Sequence, residues 1–167
     1  SLSLLHSRLS IIDLDARSNQ PYGADHCQLI FNGEIYNYQD LRRELEERGH
    51  HFRTASDTEV ILHLFEDEGI ECLQRLRGMF ALAIWDSRAA KLFLARDRLG
   101  KKPLYYAPLQ GALSFASELG VLACDRQVDT TVDPAAIDEY LTYLFVPHPR
   151  TIYRGARKLP PASYAVY

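Results

Sequence analysis

The sequence predicts an α+β fold built on antiparallel sheet, and three observations carry that expectation. Five short apolar runs, at residues 27–31, 79–85, 92–95, 104–106 and 113–115, have strand length and are bounded by polar or glycine-containing turns. Two charged segments, 38–48 and 56–68, place their apolar residues at helical spacing instead. Strands and helices do not alternate one for one, so the rhythm of a parallel sheet is missing.

Taken in order, residues 1–5 and 4–13 read as strand, with Arg8 and other polar groups set among aliphatics. Residues 15–23 hold Asn19, Pro21 and Gly23 and predict a loop. The run at 27–31 leads into a polar turn, Asn32-Gly33-Glu34, and then into a helix from Tyr38, with Asn37 as its cap and Gly49 as its stop. Residues 52–54 suggest a short strand. Ser56 and Glu59 have capping-box spacing ahead of a helix that buries Val60, Ile61, Leu64 and Phe65 and ends at Gly69. The nearly unbroken apolar run from Met79 to Trp85 suits a strand covered on both faces. The runs near 105 and 114 pair around Gly111. Asp133-Pro134 opens a last helix, stopped at Pro147, and residues 151–167 are expected to be extended.

Composition narrows the function classes. A chain of 167 residues, 47% apolar and 25% charged, is expected to form one domain with a real core. A net charge of −3 gives no electrostatic reason for a nucleic-acid or anionic-membrane partner. No run approaches the roughly 18 apolar residues of a membrane span. Cys27, Cys72 and Cys124 are odd in number and form no CxxC pair, which points to buried reduced thiols in a cytoplasmic protein. The neighbours His50 and His51 would face opposite sides of an extended stretch, so no metal site is expected there.

Four clusters can carry chemistry. Arg8 needs an internal carboxylate or an anionic ligand. Asn32 and Gly33 offer a side-chain amide beside a glycine N–H, a compact pair of donors for a developing oxyanion, and Glu34 adds a carboxylate. The glycine is also expected to let a ligand approach the backbone. Asp57 sits at a helix mouth, where a capping role competes with a ligand role. The charged run 96–103 includes Gly100-Lys101, but Lys102 stands where a phosphate loop needs serine or threonine, so that reading fails. Each cluster has a structural explanation of its own. Together they offer a guanidinium for an α-carboxylate, carboxylates for an α-ammonium and donors for a carbonyl oxygen, which are the three handles of glutamine.

The motif FNGEIYNY at 31–38 resembles the class II glutamine amidotransferases, in the asparagine synthetase branch. The likeness extends in register through 5–14, 56–62, Gly78-Met79-Phe80-Ala81, the run 96–106 and Phe115-Ala116-Ser117-Glu118. It implies an N-terminal-nucleophile hydrolase fold, an αββα sandwich of antiparallel sheets, over 1–167. By position, Arg8 would hold the glutamine α-carboxylate, with the backbone of Leu9, Ser10, Ile11 and Ile12 lining the pocket. Asn32 and Gly33 would form the oxyanion hole. Glu34 and Asp57 would orient the substrate, Asp57 on its α-ammonium. The 96–102 run is expected to be structural or to face a partner domain, and Tyr105 and Tyr106 to be core.

In that family the nucleophile is an N-terminal cysteine whose own α-amine serves as base. Here Ser1 stands directly before the strand of Arg8, so the resemblance implies that the first strand or strands and the cysteine are missing, and that this chain does not itself hydrolyse glutamine. A sheet edge left bare in this way would invite a homodimer. The implied partners are glutamine and a C-terminal synthetase domain towards which 146–167 lead. ATP and Mg would belong to that domain, with no cofactor or metal in this one. The ammonia would go to an activated aspartate. The alternatives are an amidotransferase serving another acceptor, and a nucleophile-less glutamine-binding or scaffold module.

Overall fold

The computed structural model describes residues 2–7 and 12–167. Residues 2–7 take no regular structure, so the strand expected at the start does not form there. The expected strand at 4–13 otherwise falls on residues 8–11, outside the described residues, and on Ile12 and Asp13. Asp13 is left-handed (φ 53°), and its carboxylate accepts the N–H groups of Asp15 (3.0 Å) and Ala55 (2.6 Å). A side chain that binds nearby backbone in this way competes with strand geometry.

The chain divides into two compact bodies, Ser1–Leu94 with Val166, and Ala95–Ala165 with Tyr167. In the first, β1 (Tyr22–Ala24) pairs antiparallel with β2 (Cys27–Ile35), and β2 pairs antiparallel along its whole length with β3 (Gly78–Asp86). The five-stranded sheet runs β1-β2-β3-β4-β8, with β4 at Lys91–Arg96 and β8 at Tyr164–Val166; the division between the bodies falls inside β4 and β8. Alternate residues of β2, namely Cys27, Leu29, Phe31 and Ile35, are buried. Helix α2 (Asp57–Glu68) packs on β2, and α1 (Tyr38–Glu47) packs on α2. Five consecutive residues of β3, Phe80 to Ile84, are buried, as a strand covered on both faces requires.

In the second body, β5 (Tyr105–Leu109) and β6 (Ala112–Ala116) form the expected hairpin around Gly111. Strand β7 (Arg157–Lys158) pairs with the other edge of β5. Ala107, Leu122, Val128 and Ala156 form its core, with Tyr105 packed against them. Short helix α3 (Leu119–Ala123) was not expected; α4 (Pro134–Tyr143) was, with the Asp133 carboxylate accepting from the Ala135 N–H at 3.1 Å. It ends at Leu144, left-handed at φ 62°, before Pro147 is reached.

The charged run beyond β4 is structural. Asp97 is buried, and its carboxylate accepts the N–H groups of Leu99, Lys101 and Lys102, each at 3.0 Å. Arg96 donates to the carbonyls of Gly100, Lys102 and Leu159 at 2.7–2.8 Å. Adjacent side chains of opposite charge thus knit one turn from its backbone groups.

Candidate functional site

The site residues that can be placed converge on one end of β2. Asn32, Gly33 and Glu34 lie inside this strand rather than in a turn; the turn is Tyr36-Asn37. The nine-residue ladder with β3 continues through all three, which is why the apolar run ends before the strand does. Asn37 precedes α1 without capping it through its side chain. Its amide instead donates to the Arg75 carbonyl (3.0 Å) and accepts from the Arg77 N–H (2.9 Å), fastening the turn to the approach of β3.

Two glycines set the spacing of the strands here. A Cβ on Gly33 would stand 2.0 Å from the Met79 carbonyl oxygen, and one on Gly78 would stand 2.1 Å from that of Glu34. The missing side chain of Gly33 therefore makes room for β3, not for a ligand, which corrects the expectation drawn from the sequence.

Strand geometry orients the remaining groups. The Phe31 N–H is held by the Gln20 side-chain oxygen, and the Ile35 N–H by Asp57 Oδ2 at 3.0 Å. Both leave the ladder, while the Tyr36 N–H turns inward to the Arg77 carbonyl at 2.7 Å. In an antiparallel strand these directions alternate residue by residue. The Gly33 N–H, midway between those of Phe31 and Ile35, consequently faces the same outer edge. Beyond Leu29 that edge has no strand partner among the described residues, and none of them accepts from Gly33 there. Asn32 and Glu34 share the face of β2 opposite Leu29, Phe31 and Ile35 and are half-buried. Among the described residues nothing hydrogen-bonds the Asn32 side chain.

Asp57 is the first residue of α2, whose cap is Ser56, with Oγ accepting from the Thr58 N–H at 3.1 Å. Asp57 is 4% exposed. Burial pushes its carboxyl above the ordinary aspartate pKa, against the opposing hydrogen bond from Ile35. A buried carboxylate held in this condition is suited to a cationic ligand group. Glu59 does not complete a capping box. It accepts from the N–H groups of Arg53 (2.9 Å) and Thr54 (2.7 Å) and from the Thr54 hydroxyl (2.6 Å), so 52–54 is a clasp on α2 rather than a strand. Gln20 carries no motif that marks it from sequence alone, and the roles of Asn37 and Gly78, though both lie in motifs, were not foreseen; each acts through a backbone group of an element distant in sequence.

Arg8, Leu9, Ser10 and Ile11 lie outside the described residues, and Ile12 is a half-buried bend. Two clefts open elsewhere, one of about 570 Å³ beside Arg17, Tyr22 and Phe52 and one of about 330 Å³ beside Asp133, Arg150 and Arg154. Cys27 and Cys72 are buried, with burial pushing their thiols up to about 11 and about 12, so neither is a thiolate nucleophile at neutral pH. Cys124 is exposed, contrary to expectation.

A family model described as a glutamine amidotransferase domain matches residues 1–167. The chain belongs to this family. The amidotransferase domain is 44% identical over 158 residues to asparagine synthetase [glutamine-hydrolyzing] 1 of Bacillus subtilis, covering 93% of this chain and 25% of that protein. It is 34% identical over 177 residues to a putative asparagine synthetase [glutamine-hydrolyzing] 2 of Methanocaldococcus jannaschii, covering 95% and 34% respectively. Among solved structures it is similar to the glutamine phosphoribosylpyrophosphate amidotransferase from B. subtilis, with a TM-score of 0.61 and 27% identity, over 71% of this chain and 28% of that one. The amidotransferase domain thus spans about a quarter of the length of the first of these relatives. No helix among its described residues is long and apolar enough to cross a membrane.

Proposed function

We propose that this domain releases ammonia from glutamine for an asparagine synthetase, the ammonia amidating an ATP-activated aspartate elsewhere in the full-length protein. The observation that carries the reading is the outer edge of β2, which beyond Leu29 has no strand partner among the described residues. There the Gly33 N–H faces outward between two N–H groups already held, and the adjacent residue, Asn32, has a side-chain amide with no hydrogen-bond partner among the described residues. A backbone N–H paired with a side-chain amide suits the oxyanion that forms when a thiolate adds to a carboxamide. Asp57, next to Ile35 on the same edge, would take the α-ammonium of glutamine, Glu34 would assist in orienting it, and Arg8 would take its carboxylate. A cysteine supplied by the full-length protein would be the nucleophile, forming a glutamyl thioester that water hydrolyses. ATP and Mg would serve the amidation step only. The relatedness to asparagine synthetases supports aspartate over a phosphoribosyl acceptor.

The test is product stoichiometry in the full-length gene product. With glutamine, aspartate and MgATP, asparagine and glutamate should appear in equal amounts. Glutamate without asparagine would refute the acceptor while leaving the glutaminase role standing; no glutamate would refute both.

A further inference from the structure

A second group of side chains stands apart from the β2 edge. His63 and Glu66 are three residues apart on α2 and share one face of it. His50, in the loop after α1, brings its ring to 4.8 Å from that of His63, centroid to centroid. One donor atom from each of the three lies within 4.8 Å of the others. The sequence pairs His50 with its neighbour His51, whereas the fold pairs it with a residue thirteen positions on.

The cluster is enclosed and leaves polar atoms unpartnered. The side chains of His63, Glu66 and His50 are 12%, 17% and 20% exposed. His63 Nε2 and Glu66 Oε1 are buried with no hydrogen-bond partner. Glu59 Oε1 stands 3.7 Å from His63 Nε2, beyond hydrogen-bond reach. The other contacts hold the rings in place. Asp67 Oδ1 is 2.9 Å from His50 Nε2, and Glu66 Oε2 is 2.8 Å from His63 Nδ1. Phe52 packs edge-on against His63 at 5.0 Å between ring centroids, and the Arg42 guanidinium lies over the Phe52 ring, 4.4 Å from its centroid. A buried imidazole nitrogen and a buried carboxylate oxygen without partners are costly unless something binds both.

We propose that His50, His63 and Glu66 form a binding site for a divalent transition-metal ion of the zinc type. Two imidazoles and one carboxylate suit zinc, cobalt or nickel and do not suit magnesium or calcium, which require more oxygen ligands. Donors at about 2.0–2.2 Å from a tetrahedral ion stand about 3.4 Å apart, so small side-chain rotations close the set. Asp67 plays the outer carboxylate that fixes a ligand histidine. The ion would clamp the loop after α1 to α2, separately from glutamine chemistry.

Titration calorimetry with zinc chloride and visible absorption with cobalt(II) test this on the purified full-length gene product. One zinc per chain is expected, with a tetrahedral cobalt spectrum. His50→Gln, His63→Gln and Glu66→Gln should each weaken binding about tenfold or more, and His51→Gln should leave it unchanged. Should His63→Gln fail to fold, the His50 and Glu66 variants decide. Absence of stoichiometric binding, binding undisturbed by the His50 and Glu66 variants, or loss of binding in His51→Gln would each overturn the site.

Discussion

At the scale of single residues, Asp57 carries a cost that the fold alone does not require. Its folded pKa is raised by burial, so its contribution to stability is present below the ordinary aspartate value and lost as pH rises through the folded value. Burial thus disfavours the ionised form of Asp57. Asp57→Asn can keep the Ile35 hydrogen bond through its amide oxygen and is expected to unfold thermally within about 1 kcal/mol of wild type, or above it. Glutamine binding, followed by calorimetry, should be lost in the same variant; retention of binding would remove Asp57 from the site. Glu59 is the opposite case. Although burial opposes it, hydrogen bonds from Thr54, Arg53 and Tyr22 hold its pKa below the usual range. Glu59→Gln should cost about 2–3 kcal/mol in denaturant unfolding, because one acceptor becomes a donor facing N–H groups.

At the scale of elements, β2 and α2 are placed by contacts that sequence spacing reveals only in part. The first half of β2, as a short apolar run, and the apolar stripe of α2 were legible, and so was the Ser56 cap, whose replacement by alanine should cost about 1 kcal/mol. The extension of β2 through Asn32-Gly33-Glu34 was not, because an Asn-Gly pair carries the local signature of a turn. What overrides that preference is the ladder with β3, formed some 45 residues later and allowed by Gly33 and Gly78 facing each other's strands. Gly33→Ala is expected to destabilise by about 3 kcal/mol or more, since Met79 backbone rather than a movable side chain blocks the new methyl. Ahead of α2, Asp13 ties its own segment to Ala55, and that N–H foremost lowers the Asp13 pKa to about 2. The contribution is present above the ordinary aspartate value and lost as pH falls through about 2. Acid unfolding of Asp13→Asn should accordingly lack that part of the pH dependence.

At the scale of the whole molecule, the antiparallel sheets and the family were legible because several short motifs stand in register along the chain. The division into two bodies was not, as the boundary falls inside β4, where neither composition nor turn signals change. The partner of His50 was missed for a related reason: contacts across a loop leave no periodicity. The charged run after β4 could be read as structural, yet its mechanism, a buried aspartate gathering three N–H groups, follows only from the folded turn. The central claim is that Asn32 and the Gly33 N–H receive the oxyanion of glutamine. The most direct measurement is glutaminase turnover of Asn32→Ala in the full-length gene product, beside amidation supported by added ammonia. Turnover should fall about 10²–10³-fold, with ammonia-supported amidation unchanged; turnover equal to wild type would contradict the assignment.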